Sequence, residues 1–228
     1  AARVCPISSL KSAFETRRIN VRLVSSLDFA SNLGKRVSPK FVIFMLQFPH
    51  QSLKFLNPQK IIDQLGLHPG MIVADFGCGA GDFVVSTAEI IGAEGKVSAI
   101  DIQDSALSSA RSKARMEGVL NVDFIKADLE TANSSNLSDG SQDAVLLTNI
   151  LHQVGDKNAI MKECFRVLKG GGIAAVVDWK KDAVFGPVKD TRLGVEDVKQ
   201  LAQKHNLAFQ KEIDAGVYHF GAVFTKIS

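Results

Sequence analysis

Cysteine is scarce in this 228-residue chain. Its three copies, Cys5, Cys78 and Cys164, share no metal-ligand spacing and leave an odd count. That argues against a disulfide framework and against a zinc site, so the expected metal is none and the expected setting is reducing and cytoplasmic. Long apolar runs are missing too. The longest, Phe41 to Phe48, is closed by Pro49 and is far short of the roughly 20 residues a membrane span needs. There is one tryptophan, Trp179, and one tyrosine, Tyr218. No internal repeat or low-complexity tract occurs. A surplus of one charge sign is nearly absent as well, since the net charge is only +3. That small value hides an asymmetry. Residues 1–40 carry eight Lys/Arg against Glu15 and Asp28, a balance of +6, which leaves −3 for the remainder. The body of the chain is therefore not basic, and the overall charge is poor support for nucleic-acid binding.

What is present is an apolar content of 46% with 22% charged residues, enough for one domain with a substantial core plus an extension. Residues 1–54 read as a basic extension, partly disordered or helical. Its Arg- and Ser-rich, acid-poor start has a faint likeness to an organelle transit peptide. Residues 55–228 read as the main domain. Asn57-Pro58 opens it, and Ile61, Ile62 and Leu65 form a helical stripe that stops at Gly66. Strands are expected at Met71–Asp75, Lys96–Asp101, Val122–Ile125, Asp143–Thr148 and Ile173–Asp178. Helices between them are expected over Asp82–Ile91, from an Asp104 N-cap to Gly118, and over Asp156–Leu168, ended by Gly170–Gly172. A further helix is expected near Val195–His205. Leu207–Ile213 and Val217–Lys226 flank the turn Asp214-Ala215-Gly216 and read as an antiparallel hairpin. Alternation of this kind predicts an α/β, Rossmann-like, mostly parallel sheet with helices on both faces.

The most informative stretch runs from Met71 to Asp82. An apolar strand ends in Asp75, three alternate glycines follow at Gly77, Gly79 and Gly81, and a helix pattern begins. Glycines let the loop backbone approach a ligand closely, and the helix start presents unpaired N–H groups. Asp101 ends the second strand, where a carboxylate can accept hydrogen bonds from both hydroxyls of a ribose. A nucleoside-containing cofactor is therefore expected. The dinucleotide pattern G-x-G-x-x-G is not met, because the glycines run G-x-G-x-G and Asp82 stands in the place of the third dinucleotide glycine.

Asp75, Gly77, Gly79, Gly81 and Asp101 in this order resemble the first two motifs of the class I S-adenosylmethionine-dependent methyltransferases. The general look is nearest to the ubiquinone/menaquinone-type and related small-molecule methyltransferases, over roughly residues 55–228. The resemblance implies a seven-stranded sheet with a C-terminal antiparallel hairpin and S-adenosyl-L-methionine as cofactor. It implies that Gly77 and Gly79 pass under the methionine portion and that Asp75 organises the loop and the ammonium end. Asp101 would hold the ribose, and Ile102 would pack on adenine. Cys78 would contribute backbone, with its thiol as inert filling. Asp128, next to Leu129 after strand three, is a candidate for the adenine amino group or a helix-capping acid. Asn149 lies where the family contacts the methionine moiety or the substrate.

His152 can be read as a general base or as a helix-start histidine with a structural hydrogen bond. Gln153, Asp178, Trp179, Tyr218 and His219 are candidate substrate contacts, with core packing as the alternative for the aromatics. The segment Thr148 to Gln153 is not the Asn/Asp-Pro-Pro-aromatic signature of amino-directed nucleic-acid methyltransferases. The expected activity is methyl transfer to a small-molecule acceptor. Alternatives are an RNA methyltransferase with the basic extension as an arm, a catalytically silent cofactor-binding module, and a nicotinamide-dependent oxidoreductase. Arsenite methylation is disfavoured, because only Cys78 and Cys164 fall in the domain. The acceptor and the oligomeric state stay open.

Overall fold

The structure is a computed structural model, and residues 56–227 are described. The basic extension, Cys5, the Phe41–Phe48 run and the boundary at residue 54 lie outside them. A short helix α1 (Pro58–Ile62) leads to β1 (Ile72–Phe76), α2 (Asp82–Ile91), β2 (Lys96–Asp101), α3 (Asp104–Met116) and β3 (Val122–Lys126). Then follow β4 (Gln142–Thr148), α4 (Lys157–Val167), β5 (Leu168–Trp179), α5 (Val195–Lys204), β6 (Leu207–Ile213) and β7 (His219–Lys226). The seven strands lie in the order β3-β2-β1-β4-β5-β7-β6. Strands β1 to β5 pair in parallel, and β7 runs antiparallel to both β5 and β6. The expected C-terminal hairpin is there, with β7 inserted between β5 and β6.

The central strands are buried on both faces, as their unbroken apolar runs require. On β1 the pleat sends Ala74 and Phe76 into one core, with Ile160, Cys164 and Val167 of α4 and Val198 of α5. Val73 faces the other core, with Ile61 and Ile62 of α1, Val84 and Ile91 of α2 and Ala110 of α3. The chain order reverses beside β1, whose neighbours are β2 and β4. That is the switch point where open parallel sheets bind ligands, beyond the carboxyl ends of their strands.

Two local expectations are corrected. Asp104 is the first residue of α3, not its cap; the N-cap is Gln103, whose backbone N–H donates to Asp101 Oδ1 at 2.9 Å. Gly170–Gly172 do not end α4. Leu168 is already extended and pairs with Gln142, so the glycines lie within β5, at a register irregularity between Gln142 and Ala144.

One buried polar cluster braces α4 against the loop before β4. Glu163 is 3% exposed and accepts from Arg166 through both oxygens, at 2.9 and 2.8 Å, and from the buried Ser135 hydroxyl. Burial pushes the Glu163 carboxyl up, but hydrogen bonds from Arg166 and Ser135 outweigh it and hold it below its ordinary range. Removing Glu163 leaves the buried Ser135 hydroxyl without its acceptor and Arg166 with only the exposed Asp139 as an ion-pair partner. Glu163→Ala is therefore expected to cost about 3 kcal/mol of folding stability, measured by urea denaturation. A loss under about 1 kcal/mol would show that the cluster contributes little.

Candidate functional site

The glycine loop leaves β1 and turns sharply under the end of β2. Gly77 and Cys78 both donate their N–H to Ile100 O, at 2.8 and 2.9 Å, and Gly79 donates to Asp101 Oδ2 at 3.0 Å. Asp101 thus latches the loop through Oδ2 and the start of α3 through Oδ1. All three glycines hold a positive φ, but what surrounds each differs. A Cβ on Gly77 would lie 2.8 Å from the Ile150 side chain, so this position brings the loop against the segment after β4. A Cβ on Gly81, at φ +84°, would lie 2.8 Å from Ala110 Cα, so its role is to let α2 and α3 approach. At Gly79 nothing lies within 4 Å, and the space beside it is open.

Asp75 sits beneath this loop. It is 1% exposed, and neither carboxylate oxygen has a hydrogen-bond partner. Desolvation, followed by the charge of Asp101, raises its pKa to about 7. A second orphaned acceptor is Asn149 Oδ1, also buried without a partner. Asn149 follows the last residue of β4 at φ 55°, a left-handed conformation, and its N–H donates to Val177 O at 2.8 Å. Buried acceptors without donors are costly, and these two share the carboxyl end of the sheet.

Around them lie the other expected cofactor contacts. Ile102, just after β2, is an apolar side chain left 56% exposed. Asp128 is exposed, and its Oδ1 accepts from Glu130 N at 3.0 Å, while Leu129 is buried in the core. Cys78 is buried, and burial first, then the charges of Asp75 and Asp101, push its thiol well above the usual range. A thiol held in that state is not a nucleophile. Asp82 opens α2 and pairs with Lys113 of α3.

A second group of candidates gathers where β5 and β7 meet. His152 lies in the β4–α4 connection, five residues before the helix, so it is not a helix-start residue. Its Nδ1 is 2.7 Å from Asp178 Oδ1, and its backbone N donates to Asp178 Oδ2 at 3.2 Å. Trp179 N also donates to Asp178 Oδ1, at 2.8 Å. Asp178 is 1% exposed, behind His152 rather than on an open wall. Trp179 and His219 face each other across β5 and β7 with ring centroids 4.1 Å apart. His219 is 1% exposed with both ring nitrogens unpartnered, and burial lowers its pKa to about 4. Tyr218 meets Phe185 edge-on at 5.4 Å. Gln153 is exposed, and its Nε2 donates to Asn149 O at 2.5 Å.

Sequence reasoning missed two residues here. Ile150 fills the space opposite Gly77. Arg192, 6% exposed, folds its guanidinium under the loop after β5 and donates to the carbonyls of Pro187, Ala183 and Lys180. A lone arginine in a loop carries no sequence signal that it turns inward.

Among the described residues no helix is long and apolar enough to cross a membrane, and no group of three or more His, Cys, Asp or Glu side chains is placed to hold a metal ion.

A parallel sheet in this order, closed by an inserted antiparallel strand and carrying an acid, a glycine loop and a second acid at its switch point, defines a class I methyltransferase fold. A methyltransferase domain family model matches residues 67–217, and the chain belongs to that family, within the class I S-adenosylmethionine-dependent superfamily. The ubiquinone/menaquinone biosynthesis C-methyltransferase of Shewanella woodyi is 35% identical over 121 residues, covering 53% of this chain and 47% of that protein. The enzyme of the same name from Vibrio vulnificus is 35% identical over 128 residues, covering 56% and 48%. The chain thus spans about half the length of the curated relatives it matches. A SAM-dependent methyltransferase from Aquifex aeolicus superposes with a TM-score of 0.70 at 26% identity, covering 84% of this chain and all of the other. The [4+2]-cyclase SpnF shares the fold at 22% identity with a TM-score of 0.59, covering 69% and 59%, so the fold alone does not set the chemistry.

Proposed function

We propose that this chain binds S-adenosyl-L-methionine and transfers its methyl group to a small-molecule acceptor. The observation that carries the reading is the pair of orphaned acceptors, Asp75 and Asn149 Oδ1, buried beside an open glycine loop. Such a site lacks a cation with N–H donors, and the ammonium end of the cofactor is one. Asp101 keeps lone pairs for the ribose beyond those it gives to Gly79 and Gln103. Ile102 and the Asp128-Leu129 segment would flank the adenine. Gly77, Cys78 and Gly79 would line the methionine portion with backbone.

The bound sulfonium supplies an already activated methyl group. The protein's part is then to align acceptor, methyl and sulfur, which can account for about 7–11 kcal/mol of barrier lowering. Gln153, Trp179 and Tyr218 would form the acceptor side. The domain of this reading runs from 55 to 228, with 1–54 as an extension. The RNA alternative rests on that extension alone. A cytoplasmic setting draws support from Cys78 and Cys164, both free and buried. The half-length match to the C-methyltransferases supports a small acceptor but does not name it.

Isothermal titration with S-adenosylmethionine, S-adenosylhomocysteine and NAD tests the cofactor directly. Micromolar binding of the first two, about −8 kcal/mol, with no heat from NAD is the expected outcome. Silence with both sulfur compounds would end the proposal.

A further inference from the structure

We propose that Asp178 is a positioning residue that fixes His152 as the Nδ1–H tautomer, leaving Nε2 unprotonated to take a proton from the acceptor. The inference rests on the methyltransferase reading of the site and says what kind of acceptor it serves.

The geometry comes from three donors converging on one buried carboxylate. Asp178 Oδ1 lies 2.7 Å from His152 Nδ1 and accepts from Trp179 N at 2.8 Å, and Oδ2 accepts from His152 N at 3.2 Å. The carboxylate side chain is 1% exposed and the imidazole 9%. A carboxylate accepts and does not donate, so the nitrogen facing it must carry the proton. The two backbone donors hold the carboxylate in place, and one of them belongs to His152 itself. Ring and carboxylate are therefore gripped as a unit.

The second nitrogen, Nε2, makes no hydrogen bond among the described residues and is not among the fully buried orphaned atoms. It is a lone pair kept available. Its loop is also the one that meets the glycine loop, because Ile150 lies against Gly77 and Asn149 directly follows β4. An imidazole oriented by a carboxylate through its other nitrogen is the arrangement general-base catalysis requires.

The acceptor must then be one that loses a proton from oxygen, sulfur or an activated carbon as it is methylated. In that step the acceptor's X–H bond breaks and the proton passes to His152 Nε2. The electron pair left on X forms the bond to the methyl carbon, and the pair of the broken carbon–sulfur bond stays with sulfur. A tertiary amine, with no proton to lose, would have no use for this pair.

Long-range nitrogen–proton spectra of histidine-labelled full-length protein at about pH 8 read the tautomer without any acceptor. In the wild type, His152 is expected to show Nδ1–H with Nε2 unprotonated, assigned by its loss in His152→Gln. In Asp178→Ala the ring is expected to revert to the Nε2–H form that free side chains prefer. Asp178→Asn is expected to keep Nδ1–H, because its amide oxygen can still face the two donors at the Oδ1 position. A wild-type ring found as Nε2–H overturns the inference, and that reading does not depend on Asp178→Ala folding. An unchanged tautomer in Asp178→Ala overturns it as well. S-adenosylhomocysteine titration of the same samples keeps the two readings apart. Binding with the wrong tautomer rejects the dyad alone, and absent binding rejects the cofactor reading.

Discussion

Asp75→Asn is expected to stabilise the ligand-free protein and to abolish most of its affinity for S-adenosylhomocysteine. In the folded state burial and the neighbouring charge of Asp101 raise the Asp75 pKa from 3.8 to about 7. Between those two values the folded protein binds a proton that the unfolded chain has released, so stability falls as pH rises through that window. Above about pH 7 the full penalty applies, of the order of 4 kcal/mol. Asparagine removes the charge but keeps an orphaned amide, so its absolute gain is smaller than that. The pH dependence of the difference is the cleaner readout. Its advantage over aspartate should grow by about 2.5 kcal/mol between about pH 5 and pH 8, a shift of several degrees in melting temperature.

Binding should respond in the opposite sense. A cationic ammonium group needs the ionised carboxylate, so a proton leaves Asp75 on binding below about pH 7. Wild-type affinity should rise close to tenfold per pH unit up to about 7 and then level off. The asparagine variant should bind about 100-fold or more weakly, with that slope gone, as expected when one partner of a buried charge pair is deleted. Titrations in buffers of different ionisation enthalpy count the released proton. An affinity flat from about pH 5.5 to pH 8, or an asparagine variant that binds like wild type, would take Asp75 out of the cation site. The site is thus built at the expense of stability, as binding sites with unpaired buried groups generally are.

Much of this was legible beforehand because it is written in local chemistry. The α/β alternation, the span of α2 from Asp82 and the limits of β2 follow from apolar runs and their punctuation, and the structure agrees with them. The glycine loop was visible for the same reason, since strand, acid, glycines and helix lie within a dozen residues. What could not be read depends on register between distant strands. His152 and Asp178 are 26 residues apart, and only the parallel pairing of β4 with β5 brings their strand ends together. Trp179 meets His219 because β7 is inserted beside β5 in that register. Nothing near Asp178 in the chain says that it will be buried behind a histidine. The early start of β5 escaped notice because three consecutive glycines look like a stop. Here they carry a strand past an irregular pair.

Asp101→Ala is expected to weaken S-adenosylhomocysteine binding by about 100-fold, the loss of two charge-assisted hydrogen bonds of roughly 1.5 kcal/mol each. The structure complicates a simple reading of that number. Asp101 already holds Gly79 N and Gln103 N, so the variant would also release the glycine loop. Part of the loss would then come from disorder of the loop and not from the ribose. A double cycle with an analogue lacking both ribose hydroxyls separates the contributions. If the carboxylate holds the ribose, the wild type should discriminate between the two ligands by about 100-fold and the variant by little, a coupling near 2–3 kcal/mol. If Asp101 serves only as a latch, the variant should lose affinity equally for both. The two outcomes differ in the coupling, not in the loss itself. An unchanged affinity for S-adenosylhomocysteine in the variant would remove Asp101 from the site altogether, latch and ribose contact alike.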